Sequence, residues 1–443
     1  MSSMEGKSNI KRNRMLICVG IIVMFALAWF YIFNNSAQIS AKYNYYIKTA
    51  REASEKELYK KANPYYEAAL QIRKTLDLQC EQAEMYYKWG KYFEYERKLE
   101  DIIEANKRSS KGYEMLASYY QETAEYGDCI KTIKSAKSYH VTSEKLQKIE
   151  DEIKYKYKLG YSTSLFVSEF YNDLCLMQNQ EGFYGVANSV GNTIVKCQYL
   201  RMAPFVAEEM TPATEDGTSF WMIDKDGDKV NAPKDKKLKF DDIGTFAEGK
   251  MPVKIDNHYS YANEEYDILF GKYDEAYAFN NGKAMVKSDN VYYLINSEGK
   301  KISKNTYKNI IVDELGYACR EGIYIVDNGD GYYLMDKNEK KIGKEKFEDA
   351  RLCNGDDYLA VKKDGLWGFC DKSGKIVIKP TYQNAKSFAN GLAAVQITDV
   401  WGYIDKENKE VIQAIFADAK GFSSTGSAYV KLGDEWQLLS LYR

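Results

Sequence analysis

The sequence predicts an α+β multidomain protein with one transmembrane helix, an α-helical hairpin segment and an all-β repeat domain. Three observations predict these parts. Residues 15–33 form an uncharged apolar run, helix-forming residues dominate 37–158, and an aromatic phrase recurs throughout 161–443. A chain of 443 residues has room for about three domains of roughly 150 residues each.

The N-terminal part of the sequence predicts a membrane anchor. The run over 15–33 approaches the roughly 20 apolar residues that a helix needs to cross a bilayer, and Lys11, Arg12 and Arg14 precede it. Basic residues on the short side keep that side in the cytoplasm. We therefore expect a cytoplasmic basic tail over 1–14, a single-pass signal anchor and an extracytoplasmic bulk. The alternative is a cleaved signal peptide.

The segment 37–158 is rich in helix-forming residues, with tyrosines on a helical period. Its clearest stretch carries Tyr113, Leu116, Ala117, Tyr120, Cys129, Ile133 and Ala136. This spacing resembles the tetratricopeptide repeat, which packs two antiparallel helices together. The step from Trp89-Gly90 to Leu116-Ala117 is 27 residues, shorter than the ~34 of that repeat. The resemblance implies a protein-binding groove, and the alternative is a plain helical stalk that acts as a spacer.

Two aromatic marks recur together along 161–443. The first mark falls at Tyr184, Phe220, Tyr259, Tyr292, Tyr332, Trp367, Trp401 and Trp436. The second falls at Tyr199, Phe240, Tyr273, Tyr307, Phe347, Tyr382 and Phe416. Because the offset between the marks is 15 residues in five units, 14 in one and 20 in one, we expect about eight copies of one small β unit.

A turn signal follows the first mark in these units. DKSG (371–374) is the clearest copy, and its Asp-first, Gly-fourth pattern fits a turn whose last residue is left-handed. Glu339 and the NEEY unit (263–266) depart from the pattern, so we expect looser turns there. Gly368 and Gly402 follow a Trp inside predicted strands, which indicates a close approach of the backbone.

These features are similar to the WG-containing repeat of bacterial proteins. Residues 367–391 match its pattern nearly throughout, from Trp367-Gly368 through Pro380 to Gly391. The resemblance covers roughly 161–443, although Tyr or Phe replaces Trp in the first five units. It implies a repeat fold and carries no catalytic motif.

The β units are too small to bury both faces alone, so they must stack. The last unit ends without its third strand, and Ser164–Glu169 is a candidate to supply it from the other terminus. Such an exchange would close a ring and remove its sheet edges. We therefore expect an eight-bladed β-propeller, with an open β-solenoid as the alternative.

Composition argues against several chemistries. The 62 basic and 64 acidic residues leave a net charge of −2, so nothing indicates a nucleic-acid partner. His140 and His258 are the only histidines, which argues against imidazole-based catalysis and zinc sites. The seven cysteines after Cys18 lack CxxC spacing and are interpreted as buried hydrophobes, with one disulfide left open.

The remaining motifs are interpreted as structural. DKDGD (224–228) and DNGDG (327–331) look like hairpin turns rather than calcium loops. The aromatic marks are expected in the core, so recognition should come from residues that differ between units. The sequence assigns no catalytic, cofactor-binding or metal-binding residue, predicts no cofactor, and leaves the ligand-binding residues unknown.

The function predicted on these grounds is a non-enzymatic, membrane-anchored, extracytoplasmic binding protein. Its β domain would be presented to a protein or to an envelope polysaccharide. One alternative is a structural scaffold or spacer of the cell envelope. A further alternative is a carbohydrate-active enzyme that uses carboxylates of the β domain.

Overall fold

The computed structural model describes residues 24–25, 29, 35–161, 164–206, 209–232 and 239–443. The chain divides into two compact units, Met1–Lys154 and Tyr155–Arg443. The first is helical where it is described, and the second is built of β-strands. The predicted cytoplasmic tail over 1–14 lies outside the described residues.

The predicted transmembrane helix is wrong for the part of the chain that the structure describes. No helix there is long and apolar enough to cross a membrane. The helix α1 over 35–55 carries Lys48, Arg51 and Glu52, which are costly to bury in lipid. Within 15–33, only positions 24, 25 and 29 are described. The single-pass localisation that rested on this helix is therefore also contradicted.

The helical unit continues from α1 with six further helices. They are α2 Tyr59–Ile72, α3 Leu76–Lys88, α4 Tyr92–Ala105, α5 Ser110–Glu122, α6 Tyr126–Ser138 and α7 Glu144–Ile153. From α2 onward, successive helices pack against one another. Short connections of this kind favour antiparallel neighbours.

The helical unit repeats with a period close to 34 residues. Glu57, Gly90 and Ala124 end helices in the left-handed conformation, with φ of 58°, 73° and 60°. They lie 33 and 34 residues apart. The spacing of 27 expected from the sequence is wrong because it compared Trp89-Gly90, at a helix end, with Leu116-Ala117, inside α5.

The same period appears in the buried side chains of α2, α4 and α6. The three triplets are Ala62, Tyr66 and Ala69; Tyr95, Leu99 and Ile102; and Cys129, Ile133 and Ala136. Each triplet has the spacing i, i+4, i+7, which places its members on one helix face. The period and the packing are thus those expected of tetratricopeptide-like hairpins.

The described part of the second unit forms eight antiparallel sheets. The first strand, β1 Tyr157–Gly160, joins the last sheet. Blades 1 to 4 contain β2 Phe166–Val167, β3 Leu174–Gln178, β4 Tyr184–Asn188, β5 Thr193–Tyr199; β6 Arg201–Met202, β7 Met210–Thr214, β8 Phe220–Asp224, β9 Lys229–Asn231; β10 Asp242–Ile243, β11 Met251–Ile255, β12 His258–Ala262, β13 Ile268–Tyr273; and β14 Glu275–Ala276, β15 Lys283–Ser288, β16 Val291–Asn296. Blades 5 to 8 contain β17 Asn309–Ile310, β18 Cys319–Arg320, β19 Ile323–Asp327, β20 Tyr332–Asp336, β21 Lys341–Phe347; β22 Asp349–Ala350, β23 Tyr358–Lys363, β24 Leu366–Asp371, β25 Ile376–Tyr382; β26 Asn384–Ala385, β27 Leu392–Ile397, β28 Val400–Asp405, β29 Glu410–Phe416; and β30 Asp418–Ala419, β31 Ser427–Leu432, β32 Glu435–Leu441.

The eight sheets close into a β-propeller, as the sequence predicts. The closing strand differs from the expected one, because β1 pairs antiparallel with β32 and completes blade 8 as its outer strand. The expected segment, Ser164–Glu169, instead supplies β2, the first strand of blade 1. The first strand of most blades spans only two residues, too short to recognise in a sequence, so counting apolar runs yields three strands per unit.

The two aromatic marks are cross-strand partners on the third and fourth strands of a blade. Trp367 faces Tyr382, and Trp401 faces Phe416. The same pairing joins Tyr184 with Tyr199, Tyr259 with Tyr273, Tyr292 with Tyr307, and Tyr332 with Phe347. Trp367, Trp401 and Trp436 are each only 5 % exposed, so these positions pack the core.

The turns after the first mark are built on one hydrogen-bond pattern. Asp371 Oδ1 accepts from Ser373 N and Lys375 N, and Asn263 and Asp336 accept in the same way. Tyr266 and Glu339 take the left-handed position with φ of 65° and 62°. The expectation of looser turns there is wrong, because the Asx side chain makes the same two bonds whichever residue stands fourth.

The seven cysteines of the described residues are free thiols. Six of them are buried and Cys197 is half-buried. Burial raises the pKa of the Cys175 thiol to about 12, as expected for a thiol in apolar surroundings.

Candidate axial site

An unusual loop of blade 5 lies at the propeller axis. We call residues 313–316, between β17 and β18, the axial loop. Asp313 Oδ1 accepts from Leu315 N at 3.0 Å and from Tyr317 N at 2.9 Å, and Gly316 has φ of 83°. Asp313 Oδ2 also pairs with Arg320 Nε at 2.5 Å. These bonds hold the loop in a compact Asx turn.

The axial loop contacts blades on opposite sides of the ring. Leu315 O accepts from Thr245 Oγ1 of blade 3 at 2.5 Å, and Gly316 O accepts from Ala278 N of blade 4 at 2.9 Å. On the other side, Glu314 reaches residues of blades 1, 7 and 8. The loop therefore plugs the axis, with Leu315 packed among apolar residues of blades 2 to 4.

Glu314 is the centre of a charged cluster. Its Oε1 and Oε2 accept from Lys420 Nζ at 2.8 and 3.0 Å, and its Oε2 accepts from Glu169 N at 3.2 Å. Burial would raise the pKa of Glu314, but the charges of Lys420 and Lys386 outweigh it and hold that pKa below its usual range.

Lys420 is the most buried member of the cluster, with its side chain only 7 % exposed. Burial would lower the pKa of Lys420, but the charges of Glu169 and Glu314 outweigh it and raise that pKa. Both groups of the Glu314–Lys420 pair therefore stay ionised around neutral pH.

Glu169 and Lys386 have spare hydrogen-bonding capacity. Glu169 Oε2 accepts from Gly421 N at 2.6 Å. Its other oxygen, Oε1, is buried and has no hydrogen-bond partner among the described residues. Lys386 Nζ lies 3.6 Å from Glu169 Oε1 and 3.7 Å from Glu314 Oε1, and both separations exceed a hydrogen bond. An acceptor and a donor thus face each other without a direct bond.

These groups border a cavity of about 250 Å³. Its charged lining residues include Glu169, Asp313, Glu314, Asp349, Arg320, Arg351 and Lys386. Arg351 is held in place, because Nε donates to Ala385 O at 2.7 Å and Nη2 donates to Asn384 Oδ1 at 3.0 Å. The guanidinium also lies 4.9 Å from the ring centroid of Trp367, so a buried mark supports a residue of the cavity.

The sequence named none of these residues. A signal was present, since the interval from Tyr292 to Tyr332 is 40 residues whereas five of the other six are between 33 and 36. The axial loop lies within this long interval. The sequence also left open that carboxylates meet in three dimensions, and Glu169 and Glu314 do so although they are 145 residues apart.

The acidic motifs singled out in the sequence lie in turns. Asp224 Oδ1 of DKDGD accepts from Asp226 N and Asp228 N. Asp327 Oδ1 of DNGDG accepts from Gly329 N, Asp330 N and Gly331 N. Within the described ranges, no group of three or more His, Cys, Asp or Glu residues is arranged to hold a metal ion.

The family comparison agrees with the pattern of the blades. Residues 237–259, 268–292, 367–400 and 401–436 match the model of the WG containing repeat. The propeller thus contains WG repeats. The matched stretches lie in blades 3, 4 and 6 to 8, and the last two are the longest.

The solved structures with similar folds are distant in sequence. The computationally designed Ika8 protein has a TM-score of 0.43 at 9 % identity, over 64 % of this chain and 97 % of its own. BamB from Moraxella catarrhalis has 0.42 at 8 %, over 64 % and 99 %. Saccharomyces cerevisiae Sqt1 has 0.40 at 9 %, over 64 % and 97 %. A comparison with curated proteins found no match.

Proposed function

We propose that this chain is a non-enzymatic binding protein whose propeller holds a small, neutral, hydroxyl-bearing group of its partner in the axial cavity. The observation that carries the proposal is the separation of 3.6 Å between Glu169 Oε1 and Lys386 Nζ. A hydroxyl group donates one hydrogen bond and accepts others. Placed between these two atoms, it would satisfy the carboxylate oxygen and the ammonium together.

The charge of the cavity favours a neutral ligand. Four carboxylates line it, those of Glu169, Asp313, Glu314 and Asp349. Arg320, Arg351 and Lys386 line it as well, and Lys420 is bonded to Glu314. The four acidic and four basic groups balance, so a charged ligand would leave an unpaired charge in a poorly solvated site. A sugar ring brings hydroxyl groups without charge.

The protonation states argue for binding rather than catalysis. A glycosidase needs one carboxylic acid whose pKa is raised, so that it can protonate the leaving group. The pKa of Glu314 is instead held below its usual range by Lys420 and Lys386 despite burial. Lys420, whose raised pKa keeps it protonated, is likewise a poor base.

The test uses the full chain and a panel of ligands followed by thermal unfolding and calorimetry. Neutral monosaccharides should raise the midpoint of unfolding, because a ligand that binds only the folded state stabilises it. Lys386→Met should abolish this shift. The control is Lys300→Met, which removes a lysine that is 74 % exposed on blade 4 and should leave the shift unchanged.

Each other outcome identifies another function. Stronger binding of a sugar acid or an amino sugar would contradict the charge argument. Binding of a serine-rich peptide, but of no sugar, would indicate a protein partner that presents hydroxyl side chains. Absence of any saturable ligand would favour the scaffold, and turnover of a glycan that Glu314→Gln abolishes would establish an enzyme.

A further inference from the structure

The helical unit carries a cluster of tyrosine rings that we call the tyrosine patch: Tyr87, Tyr92, Tyr95 and Tyr119. The ring centroid of Tyr87 lies 5.7 Å from that of Tyr92, 5.2 Å from that of Tyr95 and 6.3 Å from that of Tyr119. Tyr95 and Tyr119 are buried, whereas Tyr87 and Tyr92 are 39 % and 52 % exposed. Two ring faces are therefore available on a base of two buried rings.

Carboxylates surround the tyrosine patch. Tyr87 Oη donates to Glu122 Oε2 at 3.0 Å. Burial raises the pKa of Tyr95, and the charges of Glu84 and Glu122 raise it further. Burial likewise raises the pKa of Tyr119, with a contribution from Glu125 and Glu96. The nearest charges that act on these rings are thus negative.

We propose that the tyrosine patch docks a basic peptide segment of a partner protein, with an Arg or Lys side chain over the exposed rings of Tyr87 and Tyr92. A cation is attracted to the face of an aromatic ring, and the surrounding carboxylates add to that attraction. Self-association through the patch is disfavoured, because it would bring two acidic surfaces together. This inference is independent of the axial cavity.

The experiment measures the affinity of the full chain for two fluorescein-labelled octapeptides. One alternates Arg with Ser and the other alternates Glu with Ser, and binding is followed by fluorescence anisotropy. We expect saturable binding of the Arg peptide alone. Its affinity should fall as salt is added, because charge attraction between exposed groups is screened.

Four variants separate the cation–π contact from simple apolar contact. Tyr92→Leu removes the aromatic face but keeps apolar bulk, and it should weaken binding about two- to fivefold. Tyr92→Phe keeps the face and should bind like the wild type. Phe93→Leu is the matched control, since Phe93 is 72 % exposed on the same helix. Glu84→Gln should weaken binding at low salt only.

The inference is overturned if both peptides bind equally, or if Tyr92→Leu binds as tightly as the wild type. It is also overturned if Phe93→Leu weakens binding as much as Tyr92→Leu, because an apolar surface would then explain the result. Helical circular dichroism of each variant shows that the helical unit remains folded. Loss of sugar binding at the axial cavity has no bearing on these outcomes.

Discussion

Replacement of Gly368 by alanine tests why glycine follows tryptophan in the repeat. Trp367 pairs with Tyr382 and Phe369 pairs with Ile378, so residues 379–381 bulge across a single residue of β24. A Cβ atom at Gly368 would lie 2.6 Å from both Ile378 O and Pro380 N. Both are main-chain atoms, so they cannot rotate away as the end of a side chain does.

The cost of this replacement follows from the overlap. Overpacking a well-packed site costs about 1–3 kcal/mol, and the rigid main chain places Gly368→Ala near the upper end. Alanine returns about 0.5–1 kcal/mol, because glycine loses more backbone entropy on folding. We expect a net loss of about 2 kcal/mol in the free energy of unfolding of the propeller, or about 4 °C in its midpoint.

The assay is denaturant unfolding of the full chain, with tryptophan fluorescence and circular dichroism to separate the propeller from the helical unit. Gly160→Ala is the matched control, because its Cβ would meet Leu438 O at 3.5 Å and Leu438 Cβ at 3.7 Å, which is ordinary contact. We expect Gly160→Ala to change stability by less than about 0.5 kcal/mol. If Gly368→Ala is as stable as Gly160→Ala, the close approach does not explain the glycine.

Three further predictions concern the rest of the propeller. Glu314→Gln should destabilise it by about 1–2 kcal/mol at pH 7. Because the folded pKa of Glu314 lies below its ordinary value of 4.5, this stabilisation is present above about pH 4.5 and should vanish as the pH falls through the folded pKa, as pH-dependent unfolding would show. Replacing residues 157–160 by Gly-Ser-Gly-Ser should leave the edge of β32 unpaired and lower the midpoint of propeller unfolding by more than 5 °C, by about 2 °C per kcal/mol; an unchanged midpoint would argue against closure by β1. Thiol labelling of the native chain at pH 8, read by mass spectrometry, should modify Cys197 before the buried Cys175, whose pKa is raised to about 12; equal rates would contradict the burial.

The repeat could be predicted because its marks are local. The offset of 15 residues between Trp367 and Tyr382 is the length of one strand pair and its turn, and the Asx turn depends on side chains within five residues. The helical period was harder to recognise, because a similar Trp-Gly dipeptide at 89–90 ends a helix instead of filling a strand. The error in the expected spacing came from that likeness.

The membrane anchor shows the opposite limit. The apolar run over 15–33 met the length rule for a spanning helix, yet no helix of the described residues is long and apolar enough to cross a membrane. Apolar length measures the cost of leaving a segment in water. It does not by itself establish that a spanning helix forms.

The blade is specified by neighbouring residues, since strand length, turn chemistry and cross-strand pairs all act within about 35 positions. The closing strand and the axial site are specified by the assembled ring. Glu169 meets Glu314 across 145 residues and Gly421 across 252, and no local pattern encodes such separations. Burial at the axis then keeps Glu314 and Lys420 charged and leaves Glu169 and Lys386 without a direct bond, so the chemistry of the site arises from closure of the ring.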